Sequence, residues 1–175
     1  MEVRNIKVGY LNTNCYIVVH NNNCLVIDPG DELDNIINQI GNYNLLAILV
    51  THNHPDHIGV LKELIDKYNV PVYGYSNLKE GKMKIGEFNF EVIYTPGHTS
   101  DSVSYYFPDY NFMFTGDFIF KDTIGRTDLP TGDMNQMKIS LNKIRNYNQR
   151  IKIYPGHGDN TNLGYEIRNN IYFNL

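Results

Sequence analysis

Five of the six histidines in this 175-residue chain lie in three short segments rich in metal-ligand side chains. The densest segment is Thr51-His52-Asn53-His54-Pro55-Asp56-His57, where four ligand-type residues occupy six positions. Alternate side chains of an extended segment point to the same side, so His52 and His54 are expected to face one way. Imidazole nitrogens and carboxylate oxygens are the ligands that zinc and similar cations prefer. The segment therefore predicts a metal site rather than a set of solvated loop residues.

Three further ligand candidates, His98, Asp117 and His157, each follow a predicted strand and a glycine. Their segments are Thr95-Pro96-Gly97-His98, Thr115-Gly116-Asp117 and Pro155-Gly156-His157-Gly158. Glycine lets the backbone approach a compact site and adopt conformations that other residues avoid. A lone loop histidine is usually a surface residue, as we expect for His20 in its polar Asn run, but repeated placement at strand ends favours a shared site.

Strands and helices must bring these segments together. Apolar runs and alternation predict strands over 3–8, 15–20, 24–28, 45–50, 71–75, 88–94, 103–107, 112–115 and 151–154. Helical spacing predicts a helix capped by Asp31, a second from His57, a third capped by Asp133 with Gln136, and a last from about Thr161. Strands before, between and after helices predict an α/β fold of sheets covered by helices, with two layers of each.

The composition predicts one cytoplasmic domain over residues 1–175. Hydrophobic residues make up 42% of the chain, enough for a substantial core. The formal charge of −4 leaves no basic patch for nucleic acid or anionic membranes. The first residues predict neither a signal peptide nor a membrane span. Cys15 and Cys24 are too few for a disulfide scaffold and are expected to be buried on neighbouring strands in a reducing compartment.

The order His52-x-His54-x-Asp56-His57, His98, Asp117, His157 resembles the metallo-β-lactamase superfamily, and the likeness covers nearly the whole chain. The opening segments Asn14-Cys15-Tyr16-Ile17 and Val26-Ile27-Asp28-Pro29-Gly30 match its first strands. Two segments resemble the glyoxalase II-like and persulfide dioxygenase-like branch: Gly125-Arg126-Thr127-Asp128-Leu129-Pro130, and Pro155-Gly156-His157-Gly158 followed by Gly164-x-Glu166-x-x-x-Asn170. The resemblance implies a four-layer αββα fold, in which two mixed sheets are sandwiched between helices.

The resemblance also implies which residues hold metal. A first ion would be held by His52, His54 and His98, and a second by Asp56, His57 and His157. Asp117 would bridge the two ions, and Asp56 and Asp117 are the implied catalytic carboxylates. The implied cofactors are two divalent ions, zinc first, with iron or manganese as alternatives. Asp28 resembles a residue that hydrogen-bonds a ligand histidine, although a turn residue before Pro29-Gly30 explains it equally well.

The implied activity is a glyoxalase II-like hydrolase that cleaves a small thioester of the hydroxyacylglutathione type. Metal ions lower the pKa of bound water from 15.7 to about 7, so hydroxide is available at neutral pH. Two departures argue for weak binding of glutathione. Residues 1–175 have no counterpart of the added helical domain of full-length glyoxalase II, and Thr99-Ser100-Asp101-Ser102 stands where relatives often have Pro-Gly. Arg126 and Lys121 are candidates for binding an acidic substrate, with a structural or solvated cation as the alternative for both.

Two other functions remain open from the sequence. A persulfide dioxygenase would use His52, His98 and Asp117 as a mononuclear iron site. A non-catalytic metal-stabilised protein is disfavoured because no ligand is missing. The bridging Asp117 argues against an antibiotic-resistance β-lactamase, and the acidic charge argues against a nuclease. The expected partner is a small-molecule thioester, and the oligomeric state is left open.

Overall fold

Residues 1–174, which this computed structural model describes, form two large β-sheets with helices on their outer faces. The first half of the chain supplies β1 (Glu2–Val8), β2 (Thr13–His20), β3 (Asn23–Ile27), α1 (Leu33–Ile40), β4 (Asn44–Leu49), α2 (Pro55–Ile58), α3 (Leu61–Tyr68) and β5 (Val72–Tyr73). These strands form one sheet in the order β1-β2-β3-β4-β5, in which β3, β4 and β5 run parallel.

The second half of the chain builds the other sheet. Its elements are β6 (Gly81–Ile85), β7 (Phe88–Tyr94), β8 (Val103–Phe107), β9 (Phe112–Gly116), β10 (Ile119–Phe120), β11 (Thr123–Ile124), α4 (Met134–Ile144), β12 (Lys152–Pro155), β13 (Thr161–Asn162), α5 (Leu163–Asn169) and a 3-10 helix (Ile171–Asn174). The sheet order is β13-β12-β9-β8-β7-β6, and β10 and β11 form a separate hairpin. Strands β9 and β12 are parallel, whereas β6 to β9 are antiparallel neighbours.

Three apolar cores separate four layers. The central core joins the facing sides of the two sheets and is rich in aromatic rings such as Tyr16, Phe107 and Phe114. A second core lies between the first sheet and helices α1 and α3, and a third lies between the second sheet and helices α4 and α5. The layers are therefore helix, sheet, sheet, helix, which confirms the predicted αββα architecture. None of the helices in residues 1–174 is long and apolar enough to cross a lipid bilayer.

Most predicted elements are present, and the differences have local causes. The predicted helix from His57 is wrong as one element, because it divides into α2 and α3. The Val60 N–H leaves the helical pattern and donates to the Pro29 carbonyl (3.2 Å), which draws the chain toward the Asp28 loop. Glu32, in a left-handed conformation, precedes α1, so the prediction that Asp31 caps this helix is also wrong.

The predicted cap of α4 is confirmed. The Asp133 carboxylate accepts hydrogen bonds from the backbone N–H groups of Asn135 (2.7 Å) and Gln136 (3.1 Å). Cys15 and Cys24 are buried and unpaired on the adjacent strands β2 and β3, as expected. Four strands were not predicted. Strands β10, β11 and β13 have only two residues each, and β6 carries the charged residues Lys82 and Lys84.

Candidate metal centre

All the predicted ligands lie at one edge of the two sheets. Asp28 and His52 follow the carboxyl ends of β3 and β4, which are parallel. Asp117 and His157 follow the carboxyl ends of β9 and β12, which are also parallel. Strand β7 runs in the same direction as β9, because both are antiparallel to β8, so His98 reaches the same edge. Parallel carboxyl ends therefore explain why residues up to 105 positions apart in sequence meet.

His52, His54 and His98 form the first group. His54 Nδ1 lies 3.2 Å from His52 Nε2 and 3.0 Å from His98 Nε2. Three imidazole nitrogens thus converge on one point, and a single proton could satisfy only one of the two short contacts. This arrangement is typical of ligands that surround a cation.

Asp56, His57 and His157 form the second group. Asp56 Oδ2 lies 3.2 Å from His157 Nε2 and 3.6 Å from His57 Nε2. Asp56 also accepts a hydrogen bond from the Thr13 hydroxyl (2.8 Å), which orients its carboxylate toward the histidines. Each group therefore offers three ligand atoms within 4.8 Å of one another.

Asp117 lies between the groups and reaches both. Its Oδ2 is 3.5 Å from His98 Nε2 of the first group and 3.5 Å from His157 Nε2 of the second. Its Oδ1 is 3.3 Å from His57 Nε2. A carboxylate in this position can share its two oxygens between two cations.

A buried hydrogen-bond chain fixes two of the ring orientations. Asp28 accepts from His57 Nδ1 (2.9 Å), from the Thr51 hydroxyl (2.6 Å) and from the Thr51 N–H (2.8 Å). Because the Thr51 proton goes to Asp28, the hydroxyl oxygen is free to accept from His52 Nδ1 (3.0 Å). Both rings are thereby held with Nδ1 as the outer donor and with Nε2 directed into the site.

Backbone carbonyls fix two more rings. His98 Nδ1 donates to the Arg126 carbonyl (2.7 Å), and His157 Nδ1 donates to the Leu11 carbonyl (3.3 Å). In both histidines Nε2 is left as the inward-facing nitrogen. Four of the five clustered histidines therefore have an outer partner that sets their tautomer, as metal-ligating histidines usually do.

Two buried polar atoms in the site have no hydrogen-bond partner, namely His57 Nε2 and Asp117 Oδ1. Such atoms cost free energy when they are buried without a partner. A cation between them would satisfy both at once. The donor set, five imidazoles and two carboxylates, is also the set that zinc, iron or manganese accepts. The residues present therefore fit a pair of divalent metal ions.

The pKa values of the clustered residues also favour a bound cation. Burial, reinforced by the neighbouring His57, lowers the pKa of His52 well below its usual value, so its lone pair stays available. Burial also opposes charge on His57, but Asp28 and Asp117 outweigh it and raise the pKa of His57 to about 10. Burial raises the pKa of Asp117, yet His57 and the other histidines bring it down to about 2. The negative charge of the carboxylates therefore favours a cation at the centre of the cluster.

Two glycines leave room for the ligands. A Cβ at Gly156 would stand 2.1 Å from Asp117 Oδ1 and 2.7 Å from His57 Cε1. A Cβ at Gly116, where φ is +51°, would stand 2.3 Å from the Thr51 hydroxyl oxygen. Only glycine fits at either position without displacing the carboxylate or its hydrogen-bond chain.

A cavity of about 330 Å³ opens onto the cluster. Its lining residues are Leu11, His54, Asp56, His98, Asp117, Phe120, Gly125, Arg126, Leu129 and His157. Arg126 belongs to this wall, but its guanidinium makes two 2.7 Å hydrogen bonds to the Asp128 carboxylate. The predicted site residues are thus brought together, while Arg126 is engaged with a neighbour and Lys121 lies outside the lining.

The sequence did not identify the residues that hydrogen-bond the ligand side chains and thereby orient them. Thr13 and Thr51 are ordinary threonines in sequence, although Thr51 directly precedes the histidine segment, which is the one available signal. The carbonyls of Leu11 and Arg126 carry no side-chain signature, because any residue has a carbonyl. Their roles depend on contacts across 146 and 28 positions of the chain.

Comparison with known proteins gives consistent matches. A family model described as the metallo-beta-lactamase superfamily matches residues 8–89 and 75–157. The probable metallo-hydrolase YqgX of Bacillus subtilis is 33% identical, with 99% of this chain and 98% of the relative covered. The hydroxyacylglutathione hydrolase GloC of Haemophilus influenzae is 31% identical, with 99% of each chain covered.

Solved structures match over a similar extent. The BLEG-1 B3 metallo-beta-lactamase superimposes with a TM-score of 0.95 at 30% identity, covering 99% of this chain and 100% of that one. TTHA1623 in a di-iron-bound form gives a TM-score of 0.89 at 30% identity and covers 95% and 98%. ETHE1 from Myxococcus xanthus gives 0.90 at 28% identity and covers 97% and 83%.

Proposed function

The chain belongs to the metallo-beta-lactamase superfamily, and we propose that it is a two-metal hydrolase that cleaves small thioesters of the hydroxyacylglutathione type. The observation that carries this proposal is the pair of complete ligand groups joined by Asp117. A single four- to six-coordinate ion cannot use seven ligand side chains. The similarity to a hydroxyacylglutathione hydrolase supports the choice of a thioester.

Two divalent cations, when bound, would supply an activated water and polarise the carbonyl of the substrate. The chain's own residues prepare the site for that chemistry. Asp28 and Thr51 hold His52 and His57 with Nε2 directed inward, so the rings need no reorientation when metal ions bind. A thioester suits the site because a thiolate leaves without the help of a strong general acid.

A persulfide dioxygenase is the second candidate. It would need only His52, His98 and Asp117 around a single iron, and the last two approach to 3.5 Å. The similarity to ETHE1 from Myxococcus xanthus supports keeping this candidate. It leaves His54, Asp56, His57 and His157 without a metal-binding role, which is why we place it second.

Metal analysis and parallel activity assays separate the two candidates. We expect two metal equivalents in the purified full chain, a lower count in His57→Ala and His157→Ala, and hydrolysis of S-lactoylglutathione. His20→Ala, a histidine outside the cluster, is the matched control and should keep both equivalents. One equivalent of iron that is unaffected by His57→Ala and His157→Ala, together with oxygen uptake driven by a persulfide, would show that the hydrolase proposal is wrong.

A further inference from the structure

Among the four ligand histidines whose outer ring nitrogen has a partner, His157 is held least firmly by its own side chain. Its Nδ1 lies 3.3 Å from the Leu11 carbonyl, whereas the other three outer hydrogen bonds measure 2.9, 3.0 and 2.7 Å. The His157 side chain is also 27% exposed, while those of His57 and His98 are 0% and 4% exposed. Because neither burial nor a short ring hydrogen bond fixes His157, the position of its backbone must decide where Nε2 lies.

Asn14 holds the backbone on both sides of His157. Its side chain is fully buried, and its amide nitrogen donates to the carbonyls of Pro155 (2.9 Å) and Gly158 (3.1 Å). Its backbone N–H donates to the Gly156 carbonyl (2.7 Å). One residue at the start of β2 thus makes three hydrogen bonds to the segment that carries His157.

The orientation of the Asn14 amide is itself fixed. The Lys7 ammonium lies 3.1 Å from Asn14 Oδ1, and an ammonium can only donate, so the amide oxygen must face it and the amide nitrogen must face the two carbonyls. The Asn5 amide donates to the same oxygen (3.1 Å). Both hydrogens and both acceptor positions of the Asn14 amide are therefore used, which makes this a fully satisfied buried network.

The start of β2 is hydrogen-bonded to a second ligand of the same group. Thr13, the neighbour of Asn14, donates to the Asp56 carboxylate (2.8 Å). The hydrogen bonds that orient the first ligand group come from other parts of the chain, namely the Thr51 hydroxyl and the Arg126 carbonyl. A change at Asn14 should therefore affect one ion and spare the other.

We infer that Asn14 is a positioning residue for the second ion, because it holds His157 in its ligand position before metal binds. Loss of the amide frees the segment 155–158 and lets His157 Nε2 move away from Asp56 Oδ2, from which it is 3.2 Å distant. The affinity for the second ion then falls, while the affinity for the first is unchanged. This inference rests on the two-metal centre of the proposed function, but it does not depend on which substrate that centre cleaves.

Stepwise titration of the full chain with zinc against a competing chelator tests the inference. Asn14→Leu keeps the approximate size of the side chain and removes its hydrogen bonds. We expect this variant to bind the first ion as wild type does and the second about 10- to 100-fold more weakly, the usual effect of losing a hydrogen bond that supports a metal ligand. Asn38→Leu, the same change at an exposed position on α1, is the matched control and should keep both affinities.

Two further variants separate positioning from a general loss of stability. Asn14→Asp keeps the size of the side chain and the oxygen that faces Lys7, but it turns a second oxygen toward the two carbonyls, so it should also weaken the second ion. Ile36→Val shortens a fully buried side chain in the core between the first sheet and α1. It should lower the free energy of unfolding and leave both affinities unchanged.

A chain that already lacks the second ligand group identifies the ion that is affected. In the presence of His57→Ala and His157→Ala, the further change Asn14→Leu should leave the Kd of the remaining ion unchanged, because the group on which Asn14 acts is gone. Equal weakening of both ions, weakening of the remaining ion in this background, or affinities of Asn14→Leu and Asn14→Asp that match wild type would overturn the inference.

The assay of S-lactoylglutathione hydrolysis is read separately, so the two proposals can fail independently. A selectively weakened second ion in Asn14→Leu supports the role of Asn14 even where wild type hydrolyses no thioester. Thioester hydrolysis by wild type, with both ions bound equally well in Asn14→Leu, would overturn the role of Asn14 alone. A single zinc equivalent in wild type would overturn both this inference and the two-metal proposal.

Discussion

At the scale of single residues, Asp117 has the most consequential position in the site. Its two oxygens approach His57, His98 and His157, which belong to both ligand groups. One oxygen is buried without a hydrogen-bond partner. The carboxylate thus connects the two groups, and its negative charge lies where two cations would otherwise repel each other.

Replacing Asp117 by alanine should therefore remove more metal than any other single ligand change. We expect Asp117→Ala to retain less than half of the metal bound by wild type and to lose turnover by at least about 10²-fold, since one donor at such a site is typically worth that much. Elemental analysis after gel filtration measures the metal. Asp109→Ala, an exposed aspartate in the β8–β9 turn, is the control. Metal content and turnover near wild type in Asp117→Ala would show that Asp117 is only a turn residue after Gly116.

Thr51 is the second residue with a specific role, which its hydroxyl group performs. It donates to Asp28 and accepts from His52, so it joins the hydrogen bonds of two ligand rings. Thr51→Val keeps the shape of the side chain but removes both hydrogen bonds. We expect its metal affinity to fall by about 10- to 100-fold, as is usual when an outer partner of a ligand histidine is lost.

Thr51→Ser supplies the matched comparison, because serine keeps the hydroxyl and loses only a methyl group. Titration with zinc against a competing chelator gives the affinity of each variant, and circular dichroism checks that both are folded. Equal affinities for Thr51→Val and Thr51→Ser would mean that the hydroxyl does not orient His52.

At the scale of elements, hydrogen bonds between helix α5 and the β10–β11 hairpin stabilise the segment that leads to the site. Glu166 on α5 is fully buried and accepts from the Asp122 N–H (3.0 Å), from the Thr161 hydroxyl (2.5 Å) and from the Asn170 amide (2.9 Å). Asn170 in turn donates to the Thr123 carbonyl (2.9 Å). These bonds attach the helix to the turn of the hairpin, and the segment after the hairpin carries the Arg126 carbonyl that orients His98.

Truncation of Glu166 should destabilise the protein markedly. Glu166→Ala removes the acceptor of three donors, of which the Asn170 amide is buried, and a buried donor that loses its partner costs about 1–3 kcal/mol. We expect the free energy of unfolding to fall by about 2 kcal/mol or more, measured by urea denaturation. Glu63→Ala, at an exposed position on α3, should change it by less than about 0.5 kcal/mol. Similar values for the two variants would contradict a supporting role for Glu166.

The elements that were predicted correctly are those that a short stretch of the sequence specifies by itself. Strands such as Phe88–Tyr94 and the Asp133 cap of α4 follow from apolar alternation and from a capping residue beside a helical stripe. The ligand segments were also identified, because residue type and a nearby strand end are visible in sequence. The break at Gly59–Val60, the hairpin β10–β11 and the support from Glu166 depend on contacts between distant segments, which no local pattern records.

At the scale of the whole molecule, the metal centre joins the two sheets. His52, His54, Asp56 and His57 come from the half of the chain that forms the first sheet. The ligands of the other half are His98, Asp117 and His157. The sheets also share an extensive apolar core, in which Tyr16 and Phe114 have ring centroids 5.0 Å apart. The core should therefore hold the fold together without metal, while the ligand edge depends on the ions.

Removal of the metal should consequently lower the melting temperature without unfolding the protein at 25 °C. A ligand at 100 times its Kd that binds only the folded state contributes about 2.7 kcal/mol, so two ions contribute about 5 kcal/mol. For a chain of this size that corresponds to a fall in Tm of about 10–20 °C after chelation, measured by calorimetry. Zinc added back should restore the Tm, and a variant with His57→Ala and His157→Ala should show a clearly smaller fall because it lacks one ligand group.

Hydrogen exchange should increase mainly in the loops around His54, Asp117 and His157, since the strands remain packed in the central core. An unchanged Tm and unchanged exchange after complete loss of metal would mean that the ions do not join the two sheets.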